Sequence, residues 1–321
     1  MIDWSARYAG KTVAVTGASG FIGGHLIRRL VPICKRVVAF ARGSATPLMR
    51  ALSGAEIVLG DVRNRYDLEK ALHDADVVFH LAGHSGPLTS SAHPQEDLTI
   101  NCGGMQNVLE TIRHRAQAVR VVFAGSRLQY GRVDMLPVRE DAPKRPLVPY
   151  GVHKNFCEDY LDYYARRFGI KYAVARITNP FGPWPNPAQQ GYNVINQMIL
   201  RALRAEPITV YGDGTQLRDY VHIEDVAIAL LMLGVCEGNL IVNVGSGVGV
   251  PFVNVVQTIL DLGGTGTMSF VPWPDDAREV ETGDFVADIT AARRLGWSPA
   301  RSLEEGLRAT VAEQRHLSAM R

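Results

Sequence analysis

Cysteine is scarce in this 321-residue sequence, and the four cysteines stand far apart, at positions 34, 102, 157 and 236. They form no Cys-x-x-Cys pair, and a chain of this length needs no disulfide bridges to hold a core together. The sequence therefore predicts reduced thiols and a cytoplasmic location. Cys157 follows Lys154 by three residues, and we expect it to be a buried, unreactive thiol.

An excess of charge of one sign and long apolar runs are also missing. Thirty-four basic residues stand against 32 acidic ones, for a net charge of +2, without a long run of either sign. This balance excludes the basic surface of a nucleic-acid-binding protein and the basic patch of a membrane-surface protein. No apolar run reaches the roughly 18 residues that a membrane-spanning helix requires. The first ten residues do not have the pattern of a secretory signal.

The sequence does contain an alternation of strand-like and helix-like segments. Several of the strand-like runs are almost continuously apolar, which is typical of parallel strands covered on both faces by helices. The predicted strands are residues 12–16, 36–40, 56–59, 76–82, 119–124 and 171–177. We therefore expect an α/β fold built on a parallel sheet.

The composition of the chain changes after about residue 178. Residues 179–187 contain four prolines in nine positions, which predicts a loop with a restricted backbone. Segments beyond this loop are shorter and richer in glycine. We expect two domains, residues 1–178 and residues 179–321, with segments around 210–245 as candidates to rejoin the first.

A glycine-rich run, Gly17-Ala-Ser-Gly20-Phe-Ile-Gly23, occupies the first strand–helix junction. The first glycine permits a tight turn, the second lets the backbone approach a pyrophosphate, and the third lets helix and strand pack closely. Free N–H groups at the start of the helix suit the anion. The run predicts a dinucleotide-binding loop that includes Ser19, Phe21 and Ile22; the alternative is a glycine-rich turn without a ligand.

The end of the second predicted strand lacks the acidic residue with which NAD-binding proteins hold the adenosine ribose. Arg42 and Ser44 stand there instead, and a guanidinium with a hydroxyl suits a 2′-phosphate. We therefore predict NADP(H) in preference to NAD(H), the alternative being that Arg42 stacks on adenine or faces solvent. Asp61, after the third strand, is placed either to meet the adenine amino group or to form a turn.

Tyr150-Gly-Val-His-Lys154 puts a tyrosine and a lysine four residues apart, on one face of a helix. An ammonium beside a phenol is expected to lower the pKa of Tyr150 from about 10 toward neutrality. The tyrosine can then exchange a proton with a hydroxyl or carbonyl group. Ser126, at the end of a predicted strand, is placed to hold the reacting oxygen. His153 is expected off this face, exposed or packed.

The segment His80-Leu-Ala-Gly-His84 offers another option, a metal site, because the spacing of its two histidines suits two metal ligands. No cysteine or carboxylate cluster joins the two histidines in the sequence. We therefore expect no metal.

These motifs occur in one order with four others. The others are Arg176-x-x-Asn179-Pro-Phe-Gly-Pro183, Arg218-Asp-Tyr-Val-His222, Asn243-Val-Gly-Ser-Gly247, and Arg278 followed by Ala287-Asp288. In this combination the chain resembles, over nearly its whole length, the extended short-chain dehydrogenase/reductase family of nucleotide-sugar epimerases and dehydratases. The resemblance implies a Rossmann-type doubly wound parallel sheet that binds the dinucleotide. It also implies a smaller mixed α/β C-terminal region that binds a nucleoside-diphosphate sugar.

The resemblance also implies site residues. Asn179 and Arg218 would hold the sugar diphosphate, and Tyr211 would lie against the base. Arg278 and Glu281 would reach the nucleotide ribose or phosphate. Either arginine taken alone is as well explained by a surface salt bridge. Ser90 and Asn101 match positions near the sugar and the nicotinamide, and the remaining residues expected around the dinucleotide are Val62, Leu81, Ala82 and Gly83.

Residues after Ser126 distinguish branches of this family. Dehydratases, sugar-acid decarboxylases and enzymes resembling fucose synthase carry additional acid–base groups there, whereas this sequence has Arg127 and Leu128. The reaction left for this chain is hydride transfer at C4 of the sugar. The enzyme would be a UDP-glucose-like 4-epimerase or, alternatively, an NADPH-dependent 4-keto-6-deoxyhexose reductase. A non-catalytic dinucleotide sensor is the alternative of another class. Arg127 and the loop at Trp184 depart from the family pattern and are expected to shape an unusual sugar pocket.

Two predicted helices, near residues 102–115 and 151–168, carry more apolar residues than one core face needs. The pattern predicts a homodimer held by a four-helix bundle, unless one chain buries all of these residues itself. The residues concerned are Met105, Val108, Leu109, Ile112, Phe156, Tyr160, Leu161, Tyr163 and Tyr164.

Overall fold

A computed structural model describes residues 4–43, 54–84, 86–115, 118–183, 194–264 and 266–319. The strands in these ranges are β1 (Thr12–Thr16), β2 (Arg36–Ala41), β3 (Glu56–Leu59), β4 (Val77–His80), β5 (Arg120–Ser126), β6 (Lys171–Ile177), β7 (Asn179–Phe181), β8 (Ile208–Tyr211), β9 (Leu217–His222), β10 (Leu240–Val244), β11 (Gly249–Pro251) and β12 (Met268–Val271). The α-helices are α1 (Phe21–Leu30), α2 (Arg65–Leu72), α3 (Pro87–Ala92), α4 (Pro94–Leu98), α5 (Gly104–Ile112), α6 (Pro149–Phe168), α7 (Val194–Leu203), α8 (Ile223–Val235), α9 (Phe252–Gly263), α10 (Asp275–Glu279), α11 (Thr290–Arg294) and α12 (Leu303–Ala319).

Seven parallel strands form the central sheet, in the order β10-β6-β5-β4-β1-β2-β3. Helices α1 and α8 cover one face, and α2, α5 and α6 cover the other. Strands β1, β4 and β5 are buried along their whole length, because each has helices on both sides. The predicted Rossmann-type α/β fold is confirmed.

Two segments from beyond residue 179 contribute to this sheet. Strand β10 pairs in parallel with β6, from Leu240 opposite Ala173 to Val244 opposite Ile177, and α8 packs on the sheet face. The seventh strand was not among the predicted ones, because its partner lies far away in the sequence. The position of the boundary between the two domains stays a prediction.

A second, smaller core lies beside the carboxyl end of the sheet. It brings together α7, α9 and α12 with two small sheets, β11-β9-β7 and β12-β8. The buried carboxylate of Asp219 on β9 ties this region together, since it accepts hydrogen bonds from Ser246 N (2.6 Å), Gly247 N (3.1 Å) and Ala287 N (3.0 Å).

Most of the apolar residues assigned to a dimer interface belong to the chain's own core. Of the nine, six are buried in the core beneath α5 and α6: Met105, Val108, Leu109, Ile112, Leu161 and Tyr164. That part of the prediction is wrong, because the second face of each helix packs on the sheet and on its neighbour. Tyr163 remains 49% exposed, and Phe156 and Tyr160 are partly buried in a stack with ring centroids 4.3 Å apart.

All four cysteines are free thiols. Burial raises the pKa of Cys157 well above its usual value, and its Sγ donates to Asn101 O at 3.5 Å, as expected of an unreactive thiol. Among the helices described, none is both long and apolar enough to cross a bilayer. The cytoplasmic location stays a prediction.

Candidate active site

The glycine-rich loop joins β1 to α1 at the carboxyl edge of the sheet. Gly17 has a φ of +69°, and a Cβ there would lie 2.6 Å from Ala82 N. A Cβ on Gly23 would lie 2.3 Å from Gly17 O, so helix and loop approach too closely for any side chain. The N-cap residue of α1, Gly20, has no side chain with which to cap the first turn. This narrow turn with uncapped N–H groups fits the pyrophosphate of a dinucleotide.

Thr16 and His80, at the ends of β1 and β4, form the floor of this cleft. The Thr16 hydroxyl contacts His80 Nδ1 at 2.8 Å and accepts a hydrogen bond from Ala82 N at 3.2 Å. Burial, together with the positive charge of Lys154, lowers the pKa of His80 to about 3. His80 is therefore a neutral structural group at physiological pH.

The residues expected around the adenosine lie at the ends of β2 and β3. Arg42 is exposed directly after β2, and Ser44 lies outside the described residues. The Asp61 carboxylate accepts hydrogen bonds from Arg63 N (2.9 Å), Nε (3.0 Å) and Nη2 (2.6 Å). Asp61 therefore forms the turn that the sequence allowed. Val62, which follows it, is buried against Gly104.

Ser126, Tyr150 and Lys154 come together where β5 ends and α6 begins. Ser126 N donates to Gln129 Oε1 at 2.8 Å, and Ser126 Oγ accepts from Leu128 N at 3.2 Å, so the turn after the strand is fixed at both ends. Pro149 starts α6 and Gly169, in the left-handed conformation, ends it. The first turns of this helix present Tyr150 and Lys154, and the Tyr150 hydroxyl hydrogen-bonds with Ser126.

The electrostatics of Tyr150 differ from the sequence prediction. Burial raises the pKa of Tyr150 well above its usual value, the hydrogen bond from Ser126 lowers it in part, and the nearby charge of Asp97 raises it again. Lys154 Nζ donates to Ala124 O at 2.8 Å and lies 5.4 Å from the centre of the tyrosine ring. The predicted lowering by Lys154 is therefore wrong for the chain itself, because spacing on a helix does not fix where an ammonium points.

A buried carboxylate beside Tyr150 was missed by sequence reasoning. Asp97 is fully buried; its Oδ1 lies 2.5 Å from His153 Nδ1 and accepts from Asn101 Nδ2 at 3.0 Å. His84 Nδ1 lies 3.4 Å from Asp97 Oδ2. His153 is thus packed, one of the two expected alternatives. The four-residue spacing of Asp97 and Asn101 was the only sequence signal for this cluster.

Asn101 stands next to Gly83 and Lys154, as expected of a residue in the dinucleotide site. Its Oδ1 is buried and has no hydrogen-bond partner among the residues that the structure describes, and a Cβ on Gly83 would lie 2.6 Å from it. A buried polar atom of this kind needs a partner. The backbone of Leu81, Ala82 and Gly83 borders the same cleft, since Leu81 and Ala82 face Gly17 and Gly83 faces Asn101. The residues here therefore fit a dinucleotide.

Of the residues predicted to bind the nucleotide sugar, Arg218 and Glu281 lie together, whereas Arg278 and Ser90 do not join them. Arg218 Nη2 hydrogen-bonds with Glu281 Oε1, and Arg218 Nη1 donates to Gly283 O at 2.7 Å. Arg278 is exposed, without an ion pair or side-chain hydrogen bond to any residue the structure describes. The hydroxyl of Ser90 is buried and donates to Pro87 O at 2.9 Å within its own helix.

Tyr211 has an aromatic partner that the sequence did not reveal. It is 37% exposed, and the centre of its ring lies 5.3 Å from that of Trp273. A Cβ on Gly212 would lie 2.7 Å from Trp273 Nε1, so the glycine lets the two rings meet. The two ring planes are inclined by 46°, so the pair forms an angled aromatic surface in the C-terminal region.

Arg127 extends from the turn after Ser126 into the space between the two regions. Its Nε donates to Asn179 Oδ1 at 3.1 Å and its Nη1 donates to Thr282 Oγ1 at 2.8 Å. The guanidinium lies 5.7 Å from the centre of the Phe285 ring. Burial, followed by the positive charge of Arg218, lowers the pKa of Arg127 to about 10. Asn179 Nδ2 donates to Asp219 O at 2.7 Å, so this amide is held on both sides.

The two histidines considered for a metal have separate partners, Thr16 for His80 and Asp97 for His84. Within the described ranges there is no group of three or more His, Cys, Asp or Glu side chains arranged to hold a metal ion.

Comparison with known proteins places these features in a family. Residues 13–245 match the NAD dependent epimerase/dehydratase family. A putative UDP-glucose 4-epimerase of Methanocaldococcus jannaschii is 34% identical over 304 residues, which cover 93% of this chain and 97% of that protein. An epimerase of Methanothermobacter thermautotrophicus superposes with a TM-score of 0.90 at 27% identity, over 99% of this chain and 96% of that one. UDP-glucose 4-epimerase of Thermus thermophilus, in a complex with NAD, superposes with a TM-score of 0.85 at 28% identity, over 95% of this chain and 99% of that one.

Proposed function

Because the chain belongs to the NAD dependent epimerase/dehydratase family, we propose that it is a nucleotide-sugar 4-epimerase. One observation carries the proposal: Ser126, Tyr150 and Lys154 meet beside the glycine-rich loop, and the turn after Ser126 adds no carboxylate or thiol. Such a site can move a hydride and a proton at one carbon but has no further acid or base for eliminating water. Two of these relatives are named as UDP-glucose 4-epimerases, which supports a UDP-sugar substrate.

The chain's own groups perform the proton chemistry in this proposal. When bound, the dinucleotide supplies the acceptor and then the donor of the hydride at C4. In its phenolate form Tyr150 takes the proton of the C4 hydroxyl on Oη as the C4–H bond breaks, and returns it after the 4-keto sugar has turned its other face. Because burial raises the pKa of Tyr150 in the chain alone, the positive charge of a bound oxidised dinucleotide would have to lower that pKa for this step. Ser126 Oγ holds the C4 oxygen during both transfers. The Lys154 ammonium, buried beneath the tyrosine, stabilises the negative charge that develops on the phenol.

We assign the nucleotide of the sugar to the C-terminal region. Arg218 supplies a planar cation for the diphosphate, and Glu281, which already holds Arg218, orients it. The Tyr211 and Trp273 rings would lie against the base. Arg278 reaches toward the nucleotide only if its exposed side chain turns inward on binding.

For the cofactor we keep the preference for NADP(H), which rests on Arg42 at the end of β2. The Thermus relative holds NAD, and an epimerase regenerates its dinucleotide in every turnover. Calorimetry with both dinucleotides tests the preference directly.

We also propose that the chain forms a homodimer through α5 and α6. The residues that remain available are Phe156, Tyr160 and Tyr163, a smaller surface than the sequence predicted. Sedimentation at micromolar concentration tests this. A species of 35.2 kDa alone would contradict it.

The experiment that tests the reaction is incubation with UDP-, dTDP-, GDP- and CDP-hexoses, with and without added dinucleotide, followed by NMR of the sugar. We expect interconversion of the two C4 epimers without net consumption of NAD(P)H. Stoichiometric loss of NADPH on a 4-keto sugar would identify a reductase. Binding of the dinucleotide without binding of any nucleotide sugar would identify a sensor. Tyr66→Phe, at a tyrosine of α2 that is 75% exposed and has no role in the proposal, is the matched control for Tyr150→Phe.

A further inference from the structure

Arg127 occupies a position that directly follows a reacting group. Ser126 ends β5, and the turn fixed by Gln129 directs the next side chain toward Asn179 and Thr282. Consecutive Cα atoms are about 3.8 Å apart, so the guanidinium lies within one side chain's reach of whatever Ser126 holds. Under the proposed function, Ser126 holds the C4 oxygen of the sugar.

The partners of Arg127 are all neutral. Its hydrogen bonds go to an amide oxygen and a hydroxyl, and its flat face lies against Phe285. Among the residues that the structure describes, no carboxylate is within ion-pair distance of it, and Nη2 has no hydrogen-bond acceptor. A cation withdrawn from water without a negative partner is unfavourable unless a ligand provides one.

The acidic groups nearest to Arg127 already have other partners. Glu281 hydrogen-bonds with Arg218 and with Gly283 N, and Asp219 accepts from Ser246 and Ala287. The positive charge of Arg218 adds to that of Arg127. Among the residues that the structure describes, neither of these carboxylates therefore pairs directly with Arg127.

The geometry points to Arg127 as a specificity residue that binds a carboxylate on C5 of the sugar, so that the substrate class is the nucleoside-diphosphate uronic acids. In a pyranose, C5 is bonded to C4, whereas C1, which carries the diphosphate, lies across the ring. A group adjacent to the residue that holds O4 therefore reaches the substituents on C3 and C5, the two neighbours of C4, before it reaches the diphosphate. Of these two substituents only the one on C5 can be a carboxylate. The planar guanidinium matches a carboxylate with two parallel hydrogen bonds. This inference rests on the proposed function.

Three ligands that differ only at C5 test it: UDP-glucuronic acid (carboxylate), UDP-glucose (hydroxymethyl) and UDP-xylose (hydrogen), with UDP as the common reference. Each is titrated calorimetrically into the full chain loaded with dinucleotide, for the unmodified protein, Arg127→Gln and Arg127→Lys. Arg139→Gln is the control for lost charge, since Arg139 is exposed and pairs with Asp141 on the surface. Thermal unfolding verifies that each variant is folded.

We expect the unmodified protein to bind UDP-glucuronic acid at least tenfold more tightly than the other two sugars. Arg127→Gln should remove this preference and change the affinity for UDP and UDP-xylose less than threefold, and Arg127→Lys should restore only part of it. Equal affinities for the three sugars in the unmodified protein would overturn the inference and leave the 4-epimerase intact. An equal loss for UDP and all three sugars in Arg127→Gln would also overturn it, because the guanidinium would then contact the diphosphate. Failure of the unmodified protein to bind UDP or any UDP-sugar would overturn both the UDP-sugar substrate and this inference, while turnover of another nucleotide sugar in the panel would still support the 4-epimerase.

Discussion

Arg176, which is buried, and Arg127, which is partly buried, lie on adjacent parts of the fold and have opposite surroundings. Arg176, on β6, donates to both carboxylate oxygens of Glu158 at 2.9 and 2.8 Å, and also to Tyr130 Oη and Glu140 O. Burial would lower the pKa of Arg176, but the bonds to Glu158 outweigh it and raise that pKa. At Arg127, burial prevails and the pKa falls to about 10. A fully paired cation holds the fold together, whereas a cation with only neutral partners is suited to a ligand.

The same contrast runs along one side of α6. Tyr150, Lys154 and Glu158 are spaced by four residues and lie along one stripe of the helix. In the proposed reaction the first two face the cleft and serve the proton transfer, whereas the third is paired with Arg176 in the core. Substitution of Tyr150 should therefore change the activity, whereas substitution of Glu158 should change the free energy of unfolding.

Tyr150→Phe should have the largest effect, and on activity alone. It keeps the ring and removes the proton that is transferred, so turnover should fall by roughly 10²–10⁴. The affinity for dinucleotide and the free energy of unfolding should change little, because the glycine-rich loop is untouched. Retention of more than about a tenth of the turnover would show that another residue moves the proton. The control, Tyr66→Phe on the exposed face of α2, should be indistinguishable from the unmodified protein.

Glu158→Gln should have the largest effect on stability. It leaves Arg176 buried without its carboxylate, and breaking a buried pair in this way costs about 3–5 kcal/mol. Arg127→Gln should cost less than about 1 kcal/mol, because no buried charge loses its partner. Urea unfolding measures both. A larger loss of stability for Arg127→Gln than for Glu158→Gln would contradict the comparison. Glu304→Gln, which removes the carboxylate of an exposed pair with Arg308, is the control for a surface ion pair.

Glu224→Gln should have a smaller effect that depends on pH. Glu224, at the start of α8, accepts from His25 and Arg29; burial raises its pKa, but these bonds outweigh it and lower the pKa to about 2. Its contribution is therefore present above about pH 4.3 and lost as pH falls toward 2. Because the pair is partly exposed, we expect a loss of about 1–2 kcal/mol at pH 7. We would measure the free energy of unfolding of Glu224→Gln and of the unmodified protein at pH 7 and near pH 2. The difference between the two proteins should disappear near pH 2. A difference that is the same at both pH values would exclude the charge of this carboxylate as the cause.

Arg42→Ala should have the smallest effect. The side chain is exposed, so the substitution should leave stability unchanged and remove a preference for NADP(H) of about tenfold, or 1.4 kcal/mol. Calorimetry with NADPH and NADH measures it. Tenfold tighter binding of NAD(H) by the unmodified protein would refute the preference.

Features that depend on neighbours in the sequence were predictable. The strands follow from apolar runs, the glycine-rich loop from its place after β1, and the meeting of Tyr150 with Lys154 from their spacing. Features that depend on distant contacts were not. Asp97 meets His153 across 56 positions, Trp273 meets Tyr211 only in the folded chain, and the inner face of α5 looked exposed because its partners are far away. The raised pKa of Tyr150 depends on burial, which no local pattern records.

The late arrival of β10 has a consequence for synthesis on the ribosome. Strand β6 is complete when Ile177 has been made, but its partner Val244 follows about 70 residues later. At the usual rates of translation this takes roughly 3 to 13 s. During that time the nascent sheet has an unpaired, apolar edge of the kind that recruits other strands. The emerging chain is therefore most prone to pairing with other chains in this interval, while the residues between β6 and β10 are being synthesised.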